Sequence, residues 1–298
     1  MNRIRYRSQR TLARPVEVKG TGFLTGSSVR LRFVPAPPDT GCVFVRTDLR
    51  LRVHVPATAA MVTGTERRTT LGRPPAQIML VEHCLAALAG LRIDNCYIEL
   101  DAPEPPGLDG SAQGFVAALN SAGATPQPAR RAVWAVTDRV TVGAGGATLT
   151  FYPPEPGQGD ALKISYVLDY GIGSPIGRQS HTQIVTPERF AADLAACRTF
   201  LLESEAAEFR RQGLGANLSA SDLLVFGRHG PIDNALRFAN EPARHKVLDI
   251  IGDLALLGAD LCGHVVAYRS GHPLNVRLVR TLGESMRPAV RLPFRVAA

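Results

Sequence analysis

His83-Cys84-Leu85-Ala86-Ala87-Leu88-Ala89-Gly90 is an apolar stretch that ends at glycine, and a strand-like run, Cys96–Leu100, follows within a few residues. Asp253-Leu254-Ala255-Leu256-Leu257-Gly258 does the same before Val265–Tyr268. Glycine just beyond an apolar, helix-periodic segment is a stop signal, because it takes the left-handed conformation that closes a helix end. The second passage loosely repeats the first, which points to two related α+β halves.

Working outward, Val29–Val34 alternates apolar and polar residues as a half-buried strand does, and Cys42–Arg46 is another strand candidate. A helix is expected from about Ile78 to Ala89. Asp109-Gly110-Ser111 offers a cap for a helix running to about Asn120. Ala122–Arg131 (AGATPQPARR) reads as a linker that divides the chain into halves 1–125 and 131–298. The second half carries strand candidates Val133–Val142, Ala147–Tyr152 and Lys163–Leu168. Helices are expected over Pro187–Ala195, Glu203–Gln212, and from the Asn240-Glu241-Pro242 cap to about Leu257.

With 298 residues, 45% hydrophobic and 20% charged, the chain can bury an adequate core and is not a disordered polyelectrolyte. The basic N-terminus lacks an apolar h-region, and no apolar run is long enough to span a bilayer, so a cytoplasmic protein is expected. Cys42, Cys84, Cys96, Cys197 and Cys262 are scattered, with no CxxC pair, which argues against a disulfide framework or a cysteine zinc knuckle. A net charge of +8 suits polyanions. The arginines are dispersed without an aromatic–basic signature, so no nucleic-acid partner is expected; anionic small molecules and an anionic lipid surface, touched peripherally at most, are equally compatible, and charge alone does not choose between them.

Three places could carry chemistry. His245 and Asp249 lie four apart on an expected helix, hence on one face, and Asp253 extends that face by a turn. A lone His-x-x-x-Asp is more often a local ion pair than a metal site. Glu82-His83 interrupts an apolar helix, where a carboxylate costs free energy unless it is paired or near a metal. His272 stands in a Gly-flanked turn after a strand (SGHPLN), a position free to reach a site but common for ordinary turn histidines. Jointly they would supply metal ligands with an open position, a base and an acid.

These stretches resemble one family, the UDP-3-O-acyl-N-acetylglucosamine deacetylases. The similarity lies in VEHCLAALAGLRIDNCYIELDAPEPPGLDGS from Val81, CRTF from Cys197, LRFANEPARHKVLDIIGDLALLG from Leu236 and SGHPLN from Ser270. RTLARPVEVKGTGFLTG and PAPPDTGCVFVR, earlier in the chain, also look similar. The resemblance implies zinc, with iron(II) as the in-cell alternative, on His83, His245 and Asp249. It implies Glu82 as general base and His272 as general acid, with Asp253 orienting His272. Thr199 would hydrogen-bond the oxyanion, Lys246 near the metal would assist substrate phosphate or oxyanion binding, and Phe200, Leu202 and Leu214 would line an acyl-chain passage placed within Leu194–Gly215. The implied fold is α+β: two βααβ-type halves packed as a sandwich, each with a small insert. The implied activity is removal of the N-acetyl group from a UDP-sugar bearing an acyl chain, by a monomer, as the committed step of lipid A synthesis. The chain departs from the family's usual residues at Leu24, Leu80, Asn240 and the Gly143–Gly146 loop, which bears on UDP recognition. A retired metal-binding scaffold, a nucleic-acid binder and a deacetylase of an altered sugar nucleotide are the rival readings.

Overall fold

A computed structural model describes residues 1–157, 161–215 and 223–286. The first part of the chain contains β1 (Asn2–Leu12), β2 (Val16–Thr21), β3 (Ser28–Pro35), β4 (Cys42–Arg46), β5 (Val53–Pro56), β6 (Val62–Gly64), β7 (Thr70–Leu71), α1 (Glu82–Gly90), β8 (Cys96–Leu100) and α2 (Gln113–Ala122). It continues with β9 (Ala124–Ala135), β10 (Val140–Ala144), β11 (Ala147–Tyr152), β12 (Leu162–Leu168), β13 (Gln179–Ile184), α3 (Pro187–Arg189, prolonged by a π-turn over Phe190–Leu194), β14 (Phe200–Leu202), α4 (Glu203–Arg211), β15 (Leu224–Gly227), β16 (Gly230–Pro231), α5 (Glu241–Ala255), β17 (Asp260–Leu261), β18 (Gly263–Tyr268) and α6 (His272–Met286).

This is a mixed α+β architecture. Two five-stranded sheets have the orders β2-β3-β8-β4-β5 and β10-β11-β18-β12-β13. Strand for strand their senses agree: antiparallel, antiparallel, parallel, antiparallel. In each, a helix precedes the central strand and another follows it. Alternation explains the strands: β3 (SVRLRFVP) buries Val29, Leu31 and Phe33 and exposes the residues between them. α1 is buried all round apart from Ala89, as expected of a helix apolar on every side, and packs against α5. That contact is close because of Gly252: a Cβ there would lie 2.1 Å from the Glu82 carbonyl oxygen.

The linker expected over Ala122–Arg131 is instead the end of α2 and most of β9, which runs antiparallel to β1 from Asn2↔Ala135 to Leu12↔Ala124. Its two prolines misled the reading. Pro126 is tolerated in the ladder opposite Arg10, and Pro128-Ala129 fall in the register shift between Ser8↔Arg130 and Gln9↔Gln127. Val133–Val142 is two strands, with a break after Ala135. The helix expected from Ile78 begins only at Glu82: Ile78 exchanges both backbone hydrogen bonds with Leu71, Met79 N–H donates to Pro103, and Leu80 is left-handed at φ 57°. α2 starts at Gln113, because the Asp109 carboxylate accepts from Ser111 N–H and Oγ within its own turn. Asn240 precedes α5 but makes no side-chain cap; its amide donates to Ser180 and its oxygen accepts from Arg244.

Candidate metal centre

Glu82 is the first residue of α1, where the helix dipole favours a carboxylate, and the Thr69 N–H donates to its Oε2 at 3.0 Å. His83 follows. α5 brings His245 and Asp249 to the same place, and the three ligand atoms of His83, His245 and Asp249 lie within 4.8 Å of one another, all buried. Cys197 O, 3.0 Å from His245 Nδ1, accepts a hydrogen bond from its N–H, which turns Nε2 toward Asp249 Oδ1, 3.3 Å away. His83 Nε2 is 3.7 Å from that oxygen. Burial, then the neighbouring His245, lowers the His83 pKa to about 3, so the ring is neutral. Asp249 carries a charge: burial pushes its pKa up, but Lys246, 2.9 Å from Oδ2, and His245 hold it well below the usual carboxylate range. Asp249 Oδ1 is buried without a hydrogen-bond partner, since the nearby imidazoles lack the alignment for one. Two imidazoles and an orphaned carboxylate oxygen facing one point are the donor set that a divalent cation completes.

A second cluster adjoins it. His272 begins α6, a helix that sequence reading missed because SGHPLN looks like a turn. Its Nδ1 is 2.8 Å from Asp253 Oδ2, which also accepts from Asn275 Nδ2. Thr69 Oγ1 donates to Asp253 Oδ1 at 2.5 Å. His272 Nε2 thus points at Glu82 Oε1, 3.7 Å away, and at Asp249 Oδ2, 3.9 Å away. Burial works against its charge, but Asp253 and Glu82 overcome that and raise its pKa to about 9. Burial also raises Glu82 to about 7, with His272 opposing. Thr69 and Asn275 are therefore site residues the motifs did not flag. Thr69 lies at the end of the TERRTT stretch, where nothing marks it in sequence.

The remaining candidates sit around this centre. Phe200 packs edge-on to the His245 ring at 6.2 Å and carries the Lys246 ammonium 5.4 Å above its face. Thr199 is fixed by its backbone to Gly110 and Leu224, and among the described residues its hydroxyl has no partner. Leu202 follows Phe200 on the same face of β14. Leu214 lines a small separate recess with Leu201, Phe209 and Val225, so β14 does not bring Leu202 and Leu214 to one face. At the positions of departure, Glu104 holds Leu24 and Thr25 through their backbone N–H groups. Gly145 and Gly146 form the left-handed turn of the β10–β11 hairpin, to which Arg277 donates at Gly143 O.

Two imidazoles and an ionised carboxylate, with a buried glutamate and an Asp253-paired histidine beside them, are the equipment of a metal-dependent hydrolase. A family model described as UDP-3-O-acyl N-acetylglycosamine deacetylase matches residues 9–284, and the chain belongs to that family. It is 38% identical to the UDP-3-O-acyl-N-acetylglucosamine deacetylase of Solibacter usitatus, over 93% of this chain and 92% of that protein. The enzyme of the same name from Chlamydia abortus is 38% identical over 95% and 99%. That from Thermosynechococcus vestitus is 39% identical over 93% and 94%.

Proposed function

We propose that this chain removes the N-acetyl group of UDP-3-O-(3-hydroxyacyl)-N-acetylglucosamine by hydrolysis, the committed step of lipid A biosynthesis. The observation that carries the reading is the convergence of His83, His245 and Asp249 beside Glu82 and His272, in a chain of this family. We assign the cation as zinc, with iron(II) as the alternative in the cell. When bound, it supplies Lewis acidity that acidifies the attacking water and polarises the acetyl carbonyl. Glu82 takes the proton of that water. The Lys246 ammonium and the Thr199 hydroxyl stabilise negative charge developing on the acetyl oxygen. His272, held as imidazolium by Asp253, delivers a proton from Nε2 to the sugar nitrogen as acetate leaves. Phe200 and Leu202 flank the reacting centre, and the Leu214 recess receives the acyl chain.

The same reading makes the fold a sandwich of two related βααβ-type halves, 1–125 and 131–298, with β6–β7 and β14–β16 as their inserts. The matched order and sense of the two large sheets support it. We place the enzyme in the cytoplasm as a monomer, touching a membrane only peripherally; no helix among the described residues is long and apolar enough to cross one. Arg277, beside the Gly143–Gly146 hairpin, is the cation available there for a diphosphate. Deacetylation of a related sugar nucleotide is the second reading, favoured by that glycine-rich hairpin. Zinc-loaded protein incubated with UDP-3-O-acyl-N-acetylglucosamine is expected to release acetate. Zinc-loaded, folded protein that releases none from this substrate would overturn the first reading, and release only from other N-acetyl sugar nucleotides would establish the second.

A further inference from the structure

A well-formed cavity lies away from the metal centre. It has a volume of about 180 Å³ and lies where the C-terminal turns of α1 and α5 meet the β1-β9-β17 sheet. Ala89 lines it, seven residues beyond Glu82, or about 10 Å along the helix. None of the metal ligands, nor Glu82 or His272, reaches it.

Part of its wall is apolar: Leu162 on β12, Val133 on β9, Leu254 on α5, and Ala57, Ile93 and Val185 from the connections beside them. This apolar part can take a hydrocarbon body, as an apolar cavity of about 150 Å³ takes benzene. One side of the wall is charged, with four arginines against two aspartates. The aspartates are already satisfied: Arg7 donates to both carboxylates, and Arg131 Nε donates to Asp260. Arg92 is different. It lines the cavity half-buried; its charge helps hold down the exposed Glu188 carboxylate, but its guanidinium makes no hydrogen bond or ion-pair contact among the described residues. The Nη groups of Arg131 likewise have donors to spare. A planar guanidinium fork with unused donors beside an apolar void selects a carboxylate that carries a hydrocarbon body.

We propose that this cavity is a binding site for a small amphipathic carboxylate, its head on Arg92 and Arg131 and an apolar body of about six to eight carbons in the void. Such a ligand bridges α1 and α5 at the ends opposite the ligands they carry, so it is held by both halves of the molecule at once.

Calorimetry on the zinc-loaded protein with octanoate, acetate and 1-octanol tests this. Octanoate should bind saturably, and acetate, which has the head without the body, should bind at least tenfold more weakly. Arg92→Gln should weaken octanoate about tenfold, ~1.4 kcal/mol, and leave octanol nearly unchanged. Thr58→Trp, at an exposed position on the cavity's mouth with no side-chain cap to lose, should block both octanoate and octanol. Octanoate affinity equal to wild type in folded Arg92→Gln and Thr58→Trp proteins would place its site elsewhere, such as the Leu214 recess, and overturn the proposal. Absence of saturable binding at ~5 mM octanoate would overturn it as well.

Discussion

At the scale of single residues the site is a set of opposed pKa values. In the proposed mechanism Glu82 must be ionised to accept a proton and His272 protonated to give one, and in the metal-free protein their surroundings push them to about 7 and about 9. The rate should rise through an acidic limb as Glu82 deprotonates and fall through a basic limb as His272 does. A cation on His83 favours the carboxylate, which moves the acidic limb lower and widens the plateau. Asp253→Asn removes the carboxylate that does most to raise His272, so the basic limb should move to lower pH in profiles of kcat/KM. A basic limb unmoved by that change and by His272→Gln would remove His272 as the acid. Glu82→Ala should retain metal and fold while losing ~10²- to 10⁴-fold in turnover. His83→Ala and Asp249→Ala, by contrast, should show reduced metal content, and full occupancy in both would move the ligand set elsewhere.

At the scale of elements, α5 depends on two contacts. Gly252→Ala puts a methyl group into the Glu82 carbonyl oxygen, so α1 and α5 must separate. Overpacking of this kind costs about 1–3 kcal/mol, and thermal denaturation should show it together with weaker metal binding. Wild-type stability and metal affinity in that variant would mean the helices do not approach as described. Glu241, at the first turn, is fully buried and bonded to Arg198 through Nε and Nη2. Arg198→Ala removes its charged partner and leaves it only the Arg198 and Arg237 backbone N–H donors, so a loss of about 3 kcal/mol is expected in urea denaturation. Elements with one unambiguous period were legible in the sequence: β3, β8, α4, and α5 with its glycine stop. Those decided by distant partners were not. β9 is a strand because β1 lies beside it, and α1 starts late because Leu71 claims Ile78. α6 was hidden by a Gly-His-Pro that resembles a turn and in fact opens a helix. The ligand set was legible only through motif resemblance, since spacing says nothing of whether α1 and α5 meet. Thr69 and Asn275 bond to residues 13, 184 and 22 positions away, beyond the reach of any local pattern.

At the scale of the whole molecule, a charged knot closes the sheet β1-β9-β17. Arg7 donates to Asp94 at 2.7 Å through both Nη atoms and to Asp260 at 2.5 Å through Nε. Burial pushes the Asp260 pKa up, but Arg7 and Arg131 bring it below the usual range, and Arg198 does the same for the buried Glu241. Depressed carboxylates stabilise the fold above their unfolded pKa, about 4, and lose that contribution as pH falls through the lower folded value. His272 acts in the opposite sense: its contribution is present below its unfolded pKa, about 6.5, and fades as pH rises through about 9. Urea titrations of the apoprotein should therefore give a stability maximum between these limits, and Arg7→Ala should flatten the acidic side. An acidic limb unchanged in Arg7→Ala would show that the knot contributes nothing. The pairing of β1 with β9, and of His83 with residues on α5, also sets a timetable. A ribosome makes ~5–20 residues per second, so the 162 positions between His83 and His245 take roughly 8–30 s to appear. β9 (Ala124–Ala135) reaches β1 early in that interval, but α1, apolar beyond Glu82-His83, waits through all of it for α5. Newborn chains of this enzyme thus have a sticky period that ends only when α5 arrives, and holding chaperones have their opportunity then.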